Sequence, residues 1–455
     1  MEVGGVATEN SNVIPSLFLD FMQMREFAKA PLVFAEGRGV RLKTLDGQEF
    51  IDGLSGVFVT SLGHGERAVI DAITAQLNRL AFAPPLHGTS SIALELTQLL
   101  LRLAPEGVAA VKLLSGGSEA TEAAMKLARQ YHKQTGSPRK YKIVSRYGAY
   151  HGGTLGALAA GGGRERKSVF EPLGVGFIHV HPPYCYRCPF DQTYPSCGRT
   201  CVELIERTIE AEDPATVAAV IIEPISISSA GFIVPPPDYL PRLREICTRH
   251  NVVLIYDEII TGFGRLGTMF GSQHYGAAPD ITCCGKGMGG GYAPLAAILI
   301  RDRIAGAFYG EERDNVQFHH GHTFGGNPVA CAAGVAVLNE FLTRDVLSNV
   351  RQQGKRLRQR LNELAERFAI IGEVRGVGLL QGFEFVRNRA TKERFASDVR
   401  PGKALEQAAR ARGLLLRCGD EFAAFAPPLT VTGEEIDEMT RLLGDSVAAI
   451  TPSLA

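Results

Sequence analysis

One lysine in this chain stands apart from the others. Lys286 lies in Cys284-Gly285-Lys286-Gly287-Met288-Gly289-Gly290-Gly291, among five glycines and with no charged neighbour. Most lysines sit solvated on a polar face. Here the glycines clear space for a bulky adduct, and partial desolvation lowers an amine's pKa enough to make it a nucleophile. Upstream, Asp257-Glu258 ends the apolar run 252–256 and precedes Gly262-Phe263-Gly264-Arg265. A carboxylate there needs a cation, which is either an ion-pair partner or the protonated nitrogen of a bound ring. Capping a following helix is the other use for it. Ser115-Gly116-Gly117-Ser118-Glu119 opens a helical stretch. Its free N–H groups and the Ser118 hydroxyl suit a bound anion, or else a plain capped turn. Tyr147-Gly148-Ala149-Tyr150-His151-Gly152-Gly153 sets aromatics beside flexible glycines, as a stacking platform or as core.

These segments need a rigid frame. Short apolar runs at 111–114, 142–145, 219–222, 252–256 and 296–300 predict buried strands. Helical spacing over 118–134, 201–212 and 238–250 falls between them. The alternation predicts an α/β fold, a mostly parallel sheet flanked by helices. Asp257 then sits at the carboxyl end of a strand, where open α/β sheets bind ligands. Residues 39–53 predict a small antiparallel meander with Asp46-Gly47 as its turn. Helices rich in Arg, Glu and Leu follow from about 330, with short strands near 378–385 and 414–416. The expected division is an N-terminal segment 1–60, a large α/β domain 61–330 and a C-terminal α+β part 331–455. The two ends together make the smaller domain.

Composition narrows the class. Lys plus Arg and Asp plus Glu each total 48, which gives no support to nucleic-acid or membrane-surface binding. No run approaches the length of a membrane helix. Residues 1–12 carry no Lys, Arg or apolar stretch and so no secretory pattern. Nine cysteines in such a chain read as reduced thiols of a cytoplasmic protein rather than a disulfide framework.

Taken together, the Asp-Glu strand end, Gly-Phe-Gly-Arg and Gly-Lys-Gly with its glycine-rich tail resemble the class III aminotransferases that use pyridoxal 5′-phosphate (PLP), the ω-aminotransferase group. The resemblance spans 33–443. It implies PLP fold type I and a homodimer with shared active sites, leaving a tetramer open. It implies that Lys286 carries PLP as a Schiff base and shuttles a proton, while Asp257 holds the pyridine nitrogen. Ile259 packs on one ring face and Tyr150 on the other, followed by His151-Gly152. Gly117 and Ser118 match the phosphate turn, and Glu223 in Ile-Glu-Pro an active-site glutamate. His322-Thr323-Phe324-Gly325-Gly326 resembles the segment that reaches across the dimer, where its Thr binds the partner's phosphate. Arg417, ahead of Ala426-Pro427-Pro428, falls where the family grips a carboxylate, a task suited to a guanidinium.

Ser226 stands where many relatives that use 2-oxoglutarate carry Gln, which turns the expected acceptor toward pyruvate. Leu54 and Ser55 lie on the substrate side, with Ser55 where some relatives place a bulky aromatic; a roomier pocket is expected. Cys185-x2-Cys188 with Cys197-x3-Cys201 can be free thiols, a redox disulfide or a structural zinc site, and no metal is assigned from sequence. His179, His181, His319 and His320 read as satisfied polar or interface groups. The implied reaction is ping-pong amino transfer from an ω-amino acid or primary amine to a keto acid. Alternatives are another PLP reaction on the scaffold (decarboxylase, aminomutase, phospho-lyase) or a non-catalytic dimeric binding protein.

Overall fold

A seven-stranded sheet runs through the middle of the molecule. In chain order its strands are β1 (Val108–Leu114), β2 (Lys142–Arg146), β3 (Phe177–Val180), β4 (Val217–Ile222), β5 (Val253–Asp257), β6 (Ile281–Cys284) and β7 (Ala296–Arg301). Across the sheet the order is β1-β7-β6-β5-β4-β2-β3. Parallel pairing joins β6, β5, β4, β2 and β3, while β7 runs antiparallel to both β6 and β1. The computed structural model describes residues 16–228 and 231–454. Residues 1–12, expected to lack a secretory pattern, lie outside the described residues.

Every residue of β4 and β5 is buried, because helices cover both faces. Alternate residues serve opposite sides. Ala219, Ile221, Val253 and Ile255 pack toward helix Gly117–Gln134, whose Ala120, Ala123, Ala124, Leu127 and Ala128 line one stripe. Val220, Ile222 and Leu254 pack toward helices Thr200–Ala211 and Tyr239–Arg249 through Val202, Ile205, Leu243 and Ile246.

The chain ends meet. Strands Phe34–Arg38, Arg41–Thr44 and Glu49–Asp52 form the expected meander, and Gly47 turns it with a φ of +85°. A fourth strand, Leu414–Leu415, comes from the C-terminal part and pairs Leu414 with Ile51. A second sheet joins Ile371–Val377, Leu380–Phe385, Phe422–Phe425 and Arg417–Gly419. Helices Val346–Arg367, Pro401–Arg410 and Gly433–Ile450 share the core above it. Two strands of the large sheet were not expected. Both β3 and β6 have only four residues, and β6 (Ile-Thr-Cys-Cys) is weakly apolar. No described helix is long and apolar enough to cross a membrane.

Candidate active site

Four buried apolar residues of β5 lead to Asp257, so its carboxylate emerges at the carboxyl edge of the sheet. Asp257 Oδ2 lies 2.8 Å from His151 Nδ1, and Oδ1 accepts the Ile259 amide at 3.2 Å. Both side chains are buried. Burial pushes the Asp257 carboxyl up, opposed by the hydrogen bond from His151. For His151 burial pulls the other way, but the Asp257 hydrogen bond and the Glu223 charge outweigh it and leave the imidazole raised. The pair therefore keeps the proton on Nδ1 and an ionised carboxylate beside it. The neighbouring Glu258 is occupied elsewhere, accepting Ser272 N at 2.9 Å and Thr261 Oγ1 at 3.0 Å.

Lys286 follows β6 on the connection that returns as antiparallel β7. Its own φ is +44°, an uncommon value for a residue with a side chain and a frequent companion of function. Its Nζ lies 5.1 Å from the centre of the Phe58 ring. Burial lowers the amine to about 8; the Asp257 charge opposes this, while Arg417 and Arg265 reinforce it. Ile259 packs where two glycines leave room. A Cβ on Gly285 would come 3.1 Å from its Cδ1, and one on Gly117 3.3 Å from the same atom.

The helix Gly117–Gln134 opens with no side-chain cap. Ser118 instead turns its hydroxyl to the adjacent loop and accepts Gly153 N at 3.0 Å. The approach requires glycine at 152, where φ is +138° and a Cβ would lie 2.4 Å from Ser118 Oγ. Thr121 Oγ1 donates to His151 O at 2.7 Å, and Tyr150 N donates to Glu223 Oε1 at 3.0 Å. Buried Arg146 holds Glu223 from behind at 3.3 Å. Glu223 thus fixes the loop that carries Tyr150 and His151.

On the open side, Tyr150 is half-buried and the Arg166 guanidinium sits 4.6 Å from its ring centre. Arg417 is half-buried too, and burial together with the Arg166 charge lowers its pKa. Among the described residues no carboxylate pairs with it within 4.0 Å. Ser55 is held firmly in the interior. It is buried at a φ of +47°, its hydroxyl donates to Ala426 O at 2.7 Å, and it accepts Arg265 Nη2 at 3.0 Å. The aromatic of that segment is Phe58, beside Lys286. Leu54 packs against the cluster of Phe58, Ile225 and Phe232. His322 reaches toward Glu119 at 3.7 Å. Thr323 is exposed.

The Aminotransferase class-III family matches residues 22–447. The chain belongs to the class III aminotransferases. An adenosylmethionine-8-amino-7-oxononanoate aminotransferase of Geobacter sulfurreducens is 38% identical over 95% of each chain. A probable aminotransferase of Mycobacterium tuberculosis is also 38% identical, over 94% of this chain and 92% of that one. Among solved structures, an (S)-enantioselective omega-transaminase from Thermomicrobium roseum gives a TM-score of 0.93 at 36% identity, covering 98% of this chain and 99% of that one. An omega-transaminase from Pseudomonas jessenii, in complex with PMP, gives 0.93 at 29% identity over 97% and 98%.

This aminotransferase takes PLP as its cofactor, and its residues fit the group. His151 Nε2 is buried without a partner among the described residues, so that face of the ring remains available to a ligand. Asp257 offers a carboxylate for the pyridine nitrogen, the helix start at Gly117 and Ser118 offers anion-binding amides, and Lys286 offers the amine. Three residues that the sequence does not single out also lie beside this group, Phe58 at Lys286, Arg146 at Glu223 and Arg166 at Tyr150. Phe58 lies only three places beyond Ser55, and its aromatic type was the available signal. Arg146 and Arg166 carry no local pattern, because their partners come from distant segments.

Proposed function

We propose that the enzyme moves an amino group from an ω-amino acid or primary amine to a keto acid, pyruvate for preference, in a ping-pong cycle. The observation that carries this reading is Arg417, a half-buried guanidinium without an ion pair among the described residues, whose charge is felt at Lys286. A guanidinium so placed suits the carboxylate of an ω-amino acid or keto acid, gripped bidentately. Ser226 in place of a longer amide supports pyruvate over 2-oxoglutarate.

Bound PLP supplies an aldehyde that condenses with amines and a pyridinium ring that draws electrons from the substrate carbon. Asp257, backed by His151, keeps the ring nitrogen protonated. Lys286 Nζ, with its pKa near 8, takes the proton from the donor's Cα and returns it on the cofactor side. Ser118 and the helix start hold the phosphate while no covalent bond does. Tyr150 and Ile259 clamp the ring, and Phe58 with Leu54 walls the donor's substituent.

Two further parts of the reading concern the whole protein. Phe82, Leu86, Tyr309 and Phe324 are exposed large apolar side chains, near a cavity of about 430 Å³ flanked by Tyr309 and Gly325. Such a patch suits a second copy, with Thr323 delivered to the partner's phosphate. All nine cysteines are free thiols, which suits the cytoplasm.

The identity to the Geobacter relative favours a second reading, 8-amino-7-oxononanoate as acceptor and adenosylmethionine as donor. Stopped half-reactions separate the two. The holoenzyme is converted to its amine form with a primary amine alone, then offered pyruvate, 2-oxoglutarate or 8-amino-7-oxononanoate. Recovery of the aldehyde-form absorption with pyruvate supports our reading. Recovery only with one of the others overturns it.

A further inference from the structure

Between β3 and helix Thr200–Ala211 the chain makes a long excursion whose only regular element is the turn Cys185–Arg187. A loop of this length inside a compact domain usually has a task. The excursion straps the large domain to the C-terminal sheet. Tyr184 Oη and Arg187 both donate to Glu384, a fully buried carboxylate on Leu380–Phe385, and Arg375 reaches the same carboxylate at 3.1 Å. Lys392 Nζ donates to Tyr186 O at 2.8 Å. Buried charge of this kind is tolerated only where its partners are held in fixed geometry. Yet no residue of 181–199 belongs to the hydrophobic core clusters.

What it has is four cysteines. Cys185, Cys188, Cys197 and Cys201, sequence neighbours in two close pairs, line one cavity of about 20 Å³. That is room for a single water-sized sphere. We infer that this cavity is a structural zinc site with the four cysteine sulfurs as ligands, and that it knots the strap which docks Tyr184 and Arg187 on Glu384.

Several features agree. Zn²⁺ takes four thiolates in a tetrahedron at about 2.3 Å, and ligand pairs two or three residues apart are its usual spacing. No three of these sulfurs lie within 4.8 Å of one another, so binding requires the side chains to turn inward to the cavity they share. Arg199 also lines the cavity, and Cys201 lies in the first turn of a twelve-residue helix. Both place positive charge beside what would become four thiolates. On binding, each thiol gives its proton to solvent and each sulfur donates a pair to the metal, with no redox change. By contrast Glu206, Glu210 and His250, whose ligand atoms lie within 4.8 Å of one another among the described residues, are engaged already, with Arg242 and Arg249 on Glu206.

The test is elemental analysis of the PLP-loaded protein, purified with reductant and without chelator. About one zinc per chain is expected, lost in Cys188→Ser/Cys197→Ser and kept in Cys331→Ala, whose thiol lies outside the cluster. The double variant should keep the cofactor's absorption, melt several degrees lower and be cut faster within 181–199. Should that variant not fold, cobalt exchanged into the wild type must show thiolate-to-metal absorption. A reduced wild type that holds no zinc and takes up neither zinc nor cobalt overturns the inference. So does a disulfide between any two of the four in the intact protein.

Discussion

His151 Nδ1 lies 2.8 Å from Asp257 Oδ2, while the far nitrogen of the same ring meets no partner among the described residues. The imidazole therefore acts on the carboxylate and not on a second protein group. Asp257→Asn removes the charge that keeps the ring nitrogen protonated, and kcat should fall by roughly 10²–10³, as for loss of one preorganised electrostatic contact. His151→Gln removes only a charge-assisted hydrogen bond of about 1.5–3 kcal/mol, so a milder loss of roughly ten- to hundredfold is expected. Steady-state kinetics on both variants check the ranking, and a reversed order would contradict it.

Lys286 gives a pH dependence. Its amine has a folded pKa of about 8 against an ordinary 10.5. In cofactor-free enzyme, the rate of combination with added PLP should climb as the amine loses its proton and level off above about 8. A solvated lysine would keep climbing toward 10.5. The sign for stability follows from the same values. Between about 8 and 10.5 the unfolded chain binds a proton that the folded chain has released, so the cofactor-free fold gains stability as pH rises through that window. Denaturant melts of wild type and Lys286→Met, compared across it, isolate the contribution.

Ser55 and Phe58 separate packing from selectivity. Ser55→Trp puts a large ring where the hydroxyl joins Arg265 to Ala426 O. Overpacking of that kind costs about 1–3 kcal/mol or more, so the expected result is a lower melting temperature. Phe58→Leu enlarges the wall beside Lys286, and kcat/KM for bulky amines relative to small ones should rise roughly tenfold. A size series on both variants decides the matter. Selectivity that moved with Ser55 alone would reverse the assignment.

Arg166 sits over the Tyr150 ring, and its charge acts on Arg417. Arg417→Leu should raise KM for the keto acid by roughly ten- to hundredfold, the worth of a charge-assisted hydrogen bond. Donors without a carboxylate should be unaffected. Arg166→Gln, acting through charge at a distance, should give a smaller rise and weaken the dependence of KM on salt.

Much of this site is written in local sequence. Lys286 betrays itself through its glycines, and Asp257 through the apolar run before it, because each is positioned by its immediate neighbours. The strands β4, β5 and β7 were legible for the same reason, being continuous buried runs. β3 and β6 were too short and too polar to read. Phe58, Arg146 and Arg166 reach the site only through tertiary packing, which leaves no mark in the surrounding residues. The segment at Ser55 kinks: φ is positive at Ser55, Gly56 and Phe58, so position along the chain does not show that Phe58 comes to lie beside Lys286. The four cysteines formed a visible pattern, but only the fold brings the two pairs to one cavity.

The central claim is that this chain carries PLP on Lys286. Borohydride reduction of the purified holoenzyme, followed by mass spectrometry of its peptides, tests it most directly. The account predicts a pyridoxyl phosphate adduct on Lys286, absent from Lys286→Ala. An adduct on any other lysine, or none in a protein that binds PLP, would contradict it.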